Sequence, residues 1–107
     1  MLDLAAVRAA RDRVAETSRH TPLDRSYTVS EMTGADVHLK LETFQRTGAF
    51  KIRGATNRIA TLSAEAREAG VVTASAGNHA QGVALAASRM GVDSKIVMPE
   101  DAPIAKV

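Results

Sequence analysis

Apolar residues recur at helical spacing in three stretches of this chain. Ile52, Ala55, Ile59 and Leu62 fall at i, i+3, i+7 and i+10, which predicts a helix from Phe50 to Leu62. Ala80, Val83, Ala87 and Met90 mark a second helix over His79 to Met90, with Gly91 as its stop. Leu4, Val7, Ala10 and Val14 share one face of a first helix, which Asp3 can cap and which runs to about Thr17. Pro22 marks the exit, and an extended segment around Leu23 follows. Thr28 or Ser30 opens a short helix that ends at Gly34, and Ser63 caps another that ends at Gly70. Val37 to Leu41 alternates strictly, which predicts a strand with one buried face. Val71 to Ala74 and Ser94 to Met98 read as further strands, the second closed by Pro99. Strand, helix and strand at this spacing predict a βαβ unit with a right-handed crossover. No internal repeat or low-complexity tract interrupts the pattern.

Composition narrows the class. With 107 residues, 45% of them hydrophobic, the chain can bury one modest core. It has no run of about 18 or more apolar residues, so no membrane span is expected. Met1 to Ala6 lacks the basic and apolar regions of a secretory signal, and a cytoplasmic location is expected. With no cysteine, neither a disulfide framework nor a thiolate metal site can form. His20, His38 and His79 stand apart from one another in sequence, and no metal site is expected. The net charge is only +2, and Arg8, Arg11 and Arg13 alternate with Asp12 and Glu16 as on a solvated helix face. Aromatic residues make up 3% of the chain, which argues against base stacking and a nucleic-acid partner.

Two stretches carry candidate chemistry. Gln45-Arg46-Thr47-Gly48 is turn-forming, and it delivers Lys51 into the first turn of the helix beside Phe50, which is expected to be buried. Burial and the positive end of the helix dipole would both favour a neutral amine. A neutral amine is what a lysine must offer to a carbonyl cofactor. The second stretch, Ser75-Ala76-Gly77-Asn78-His79-Ala80-Gln81-Gly82, follows a strand and opens a helix. Small residues let the backbone approach a ligand, and free N–H groups at a helix start attract anions. Asn78 adds an amide that both donates and accepts. Taken singly, Lys51 reads as a surface lysine and the turn as a helix cap.

Taken together, these segments resemble the fold-type II pyridoxal-phosphate enzymes, most closely the threonine dehydratase (threonine ammonia-lyase) branch, with serine racemase and serine dehydratase as relatives. The resemblance spans nearly the whole chain: Thr21-Pro22-Leu23, Leu39-Lys40-Leu41-Glu42, Gln45, Thr47 through Ala55, Ser75 through Gly82, Val97-Met98-Pro99 and Ala102-Pro103. It implies an α/β fold of the tryptophan synthase β kind, two domains of open twisted sheets with helices on both faces. Residues 1–70 would be the N-terminal part of the large cofactor domain, and residues 71–107 the start of the small βαβ domain. It also implies that Lys51 carries pyridoxal 5′-phosphate covalently. Asn78 would bond the cofactor's 3′ oxygen, and Phe50 would pack beside its ring. Ser75, Ala76, Gly77, Asn78 and His79 would surround the substrate carboxylate. The expected substrates are small amino acids, threonine and serine, and a homo-oligomer is implied.

Three positions refine the resemblance. Ala49 replaces the serine that often precedes the Phe-Lys pair, removing a possible hydroxyl contact near the cofactor. At Ala76, serine racemases of this family place a serine as the acid/base opposite the lysine. A methyl group moves no proton, so Ala76 favours elimination over racemisation. Ile52 stands where threonine and cysteine synthases show an acidic residue. The seven glycines form no G-x-G-x-x-G or glycine run that could cradle a phosphate. The expectation is therefore an N-terminal piece of a longer lyase, inactive on its own. A serine racemase-like enzyme and a truncated, non-catalytic remnant are the alternatives.

Overall fold

The computed structural model describes residues 1–102. Five α-helices, four short strands and one 3-10 turn follow in the order α1 (Leu4–Val14), β1 (Leu23–Arg25), α2 (Tyr27–Thr33), β2 (His38–Lys40), the 3-10 turn (Glu42–Phe44), α3 (Lys51–Ala60), α4 (Ala64–Ala69), β3 (Val71–Ala74), α5 (Asn78–Arg89) and β4 (Ser94–Val97). The class is α/β, as expected. β1 and β2 pair antiparallel, with Leu23 opposite Lys40 and Arg25 opposite His38. β3 and β4 pair parallel, from Val71 opposite Ser94 to Ala74 opposite Val97, and α5 connects them as the expected βαβ unit.

Local chemistry sets the element ends. Asp3 caps α1 by accepting from Ala6 N at 2.8 Å, and Ser63 caps α4 by accepting from Ala66 N at 3.2 Å. Gly70 turns α4 into β3 at φ +81°, where a side chain is strained, and an added Cβ would sit 2.9 Å from the Asp93 carbonyl oxygen. That close passage lets Val71 N donate to Asp93 O at 2.8 Å and opens the parallel ladder.

The core lies where α3 meets α5. Ile52, Ala55 and Ile59 of α3 interlock with Val83, Ala86 and Ala87 of α5 and with Val92, and Leu62, Val71, Leu85 and Met90 pack around them. The two apolar faces read from the sequence are thus the two halves of one core. Both helices present alanines at the seam, so their backbones approach closely.

Several expectations need correction. α1 stops at Val14, short of Thr17: Thr17 N and Ser18 N both turn back to Val14 O, and Ser18 Oγ donates to the same carbonyl at 2.8 Å. A hydroxyl competing for the last carbonyls ends a helix early. Of the apolar face assigned to α1, Val14 alone is buried, while Leu4 and Val7 are exposed. α2 is capped by Ser26 rather than by Thr28 or Ser30. The Val37–Leu41 alternation yields a strand of three residues with no buried face, because every residue of β1 and β2 is exposed.

Candidate cofactor and substrate site

The turn before α3 is closed by Gly48 N donating to Gln45 O at 2.9 Å, and Phe50 forms the N-cap without a side-chain bond. Lys51 is the first helical residue. Its Nζ lies 5.4 Å from the Phe50 ring centroid, within cation–π range, and it enters none of the ion pairs among the described residues. Phe50 is 59% exposed, against the expectation that it would be buried, and Lys51 is exposed with it. The geometry explains this. α3 buries Ile52, Ala55, Thr56 and Ile59, and Phe50 lies two residues before Ile52, roughly 200° around the helix. These residues therefore do not supply the burial invoked for the lysine.

The second segment leaves β3 at Ser75, whose N–H extends the ladder to Val97 O at 3.0 Å. Ser75 Oγ accepts from Gly77 N at 3.2 Å, which fixes the turn through Ala76. Gly77 is the N-cap of α5 and, having no side chain, leaves the first-turn N–H groups uncapped. Ser75, Ala76 and Gly77 are half-buried, whereas Asn78 and His79 are exposed. An uncapped helix start of this length, reached through small residues, suits a carboxylate or a ring oxygen.

The two segments are joined at Gly82. A Cβ placed there would lie 3.0 Å from Lys51 C, 3.1 Å from Ile52 N and 3.2 Å from Lys51 O. Asn78 precedes Gly82 by one helical turn, about 6 Å of rise. The lysine and the start of α5 are thereby held at neighbouring ends of one seam. His79 also borders an open groove of about 340 Å³ shared with Gly54, Ala55, Arg58 and Val72, of which Lys51 is not a lining residue.

A polar network braces the lysine helix from the other side. Arg53 donates from Nε to Glu42 Oε2 and from a terminal nitrogen to Glu42 Oε1, both at 2.9 Å. Thr21 Oγ1 donates to Glu42 Oε1, and Lys40 Nζ donates to Thr21 O at 2.6 Å. Gln45 is buried and pairs with the backbone of Arg19 twice, accepting from its N–H at 2.9 Å and donating to its carbonyl at 2.6 Å. The hydrogen bonds from Arg53 outweigh desolvation and, helped by Thr21, hold the Glu42 carboxyl down at about 2. Glu42 in turn raises the Arg53 guanidinium. Thr21, Glu42, Gln45 and Arg53 carried no role in the sequence reading, although they fall inside the motifs singled out there. The signal was an acid and an arginine flanking the turn on either side of the lysine.

Residues 14–107 match the family model described as pyridoxal-phosphate dependent enzyme. The chain belongs to that family. It is 50% identical over 107 residues to the L-threonine ammonia-lyase of Thermotoga maritima, covering 100% of this chain and 27% of that protein. Maize serine racemase superposes with a TM-score of 0.86 at 45% identity, over 97% of this chain and 32% of that one. Threonine deaminase isoform 2 of Solanum lycopersicum superposes at 0.77 with 39% identity, over 98% of this chain and 30% of that one. The chain thus spans about a third or less of the length of these relatives.

The residues present fit the aldehyde and one oxyanion of the family's cofactor, without a glycine run for its phosphate. An exposed primary amine without an ion-pair partner can condense with an aldehyde, and the uncapped start of α5 offers N–H groups to an oxyanion. No helix among the described residues is long and apolar enough to cross a membrane, and none of them group into a metal-binding cluster.

Proposed function

We propose that this chain supplies the lysine-bearing part of a threonine ammonia-lyase, which converts L-threonine to 2-oxobutanoate and ammonia and accepts L-serine as a second substrate. The observation that carries the reading is the seating of the Lys51 peptide against α5, one turn from Asn78. Lys51 would hold pyridoxal phosphate covalently and, once displaced by the substrate amine, take the Cα proton. Asn78 would donate to the ring oxygen, and Phe50 would flank the ring. The turn Ser75-Ala76-Gly77-Asn78-His79 would grip the substrate carboxylate and orient Cα. The cofactor, when bound, supplies the electron sink for that proton loss. One methylene separates threonine from serine, worth roughly 1–3 kcal/mol in an apolar pocket, so overlap is expected.

The serine racemase-like reading is the second candidate, favoured by the superposition on maize serine racemase. Ala76 weighs against it, because a methyl group delivers no proton to the opposite face of Cα. The whole protein is proposed to be a two-domain, homo-oligomeric, cytoplasmic enzyme, with residues 1–70 in its large domain and 71–107 opening its small one. Incubation of the whole protein with pyridoxal phosphate and L-threonine tests the reading. Accumulation of 2-oxobutanoate with equal ammonia supports it, and conversion of L-serine to D-serine without ammonia overturns it in favour of racemisation.

A further inference from the structure

We propose that Gly82 is a positioning residue: its missing side chain lets α5 seat directly on the Lys51–Ile52 peptide and so sets the spacing between the lysine and the Ser75–His79 turn. The inference rests on the functional reading above. Gly82 is buried in the seam, and an added methyl would meet three backbone atoms of the one Lys51–Ile52 peptide at 3.0–3.2 Å. Backbone atoms of two packed helices cannot swing aside as a flexible side chain can, so the helices themselves must part by a few tenths of an ångström. Nothing comparable holds at Gly54 of α3, where an added Cβ meets no atom within 4 Å. The seam has two ends. Ala86, Ala87 and Val92 carry the far end, while Gly82 alone of the glycines contacts the segment bearing the amine.

The role of Gly82 differs from general packing in what it moves. Parting the helices at this end displaces Lys51 relative to Asn78 and reaches the apolar cluster through Ile52. Misplacement of a reacting group by around an ångström costs up to about a hundredfold in rate, so a few tenths cost on the order of threefold. A core truncation such as Val83→Ala thins the same interface without pressing on Lys51.

The test compares wild-type protein, Gly82→Ala and Val83→Ala, each at a temperature where circular dichroism shows it folded. Pyridoxal phosphate is titrated in and followed by its visible absorbance, and backbone amide chemical shifts are recorded without cofactor. Gly82→Ala is expected to weaken cofactor retention roughly threefold, with shift changes centred on residues 51–53 and 78–82. Val83→Ala is expected to lower the thermal midpoint at least as much yet retain cofactor like wild type. Equal retention in Gly82→Ala, or equal loss in both variants, overturns the proposal. So does a Gly82→Ala protein that fails to fold while Val83→Ala folds, since the glycine is then a packing residue only. If the whole wild-type protein, of which this chain is proposed to be one part, takes up no cofactor, the functional reading has failed separately. The amide shifts then decide whether Gly82 sets the position of Lys51.

Discussion

Arg53 grips Glu42 through two hydrogen bonds of 2.9 Å, and the pair ties α3 to the 3-10 turn just two residues after Lys51. The same guanidinium reaches Arg19 O at 3.1 Å, while Thr21 completes the shell around the carboxylate. The lysine helix is thus fixed from one side by this ionic fork and from the other by α5. Paired, geometrically matched donors of this kind are the strong class of hydrogen bond.

Breaking the fork should be felt in stability. Glu42→Gln leaves one half-satisfied arginine and is expected to destabilise by roughly 1–3 kcal/mol. Arg53→Lys should lose a similar amount, because an ammonium cannot reproduce the planar fork. Urea unfolding followed by circular dichroism measures both. Wild-type midpoints in both variants would show that the pair contributes nothing.

The fork also predicts an acid limb. Glu42 in the folded protein sits at about 2, below its ordinary 4.5. A lowered folded value means that the unfolded chain binds the proton more readily, so protonation favours unfolding. The contribution is complete above about pH 4.5 and is lost as pH falls from there through 2. Urea midpoints measured across that window should fall in wild type and flatten in Glu42→Gln. An equally steep fall in the variant would assign the acid sensitivity to other carboxylates.

Thr56 presents the opposite case. It is fully buried in α3, and its Oγ1 has no hydrogen-bond partner among the described residues. Burying an unmet hydroxyl costs stability, so Thr56→Val is expected to raise it by about 1 kcal/mol. Thr56→Ser keeps the hydroxyl and removes a methyl, and it should lower stability by about the same amount. Thermal unfolding orders the three proteins. A Thr56→Val protein less stable than wild type would mean that the hydroxyl is satisfied in solution.

What the sequence disclosed follows the range of each interaction. The core faces of α3 and α5, the caps at Asp3 and Ser63, and β3 depend on residues a few positions apart, and all were legible. The end of α1 was misjudged because Ser18 reaches back to Val14 O, a side-chain option that periodicity does not weigh. The alternation of Val37 to Leu41 was real, but burial of a strand face is decided by what stacks on it, and β2 is exposed. Phe50 was expected to be buried, yet its angle around α3 faces it outward. At the site, Lys51 and the Ser75–His79 turn stood out by local pattern and by resemblance. The Arg53–Glu42 fork and the Gly82 contact did not, because each joins segments whose approach only the fold creates.

The core itself offers a control for the account. Ile59 lies on α3 away from Lys51 and is 3% exposed. Ile59→Ala is expected to cost about 2–5 kcal/mol in urea unfolding. A cost under about 1 kcal/mol would contradict the assignment of the α3–α5 seam as the core.

The central claim is that the amine of Lys51 carries the cofactor, and borohydride reduction followed by peptide mapping addresses it most directly. Purified protein is incubated with pyridoxal phosphate, reduced, digested and analysed by mass spectrometry. The account predicts a stable pyridoxyl adduct on the peptide containing Lys51, absent from Lys51→Ala. An adduct found chiefly on another lysine, or on none, would contradict it.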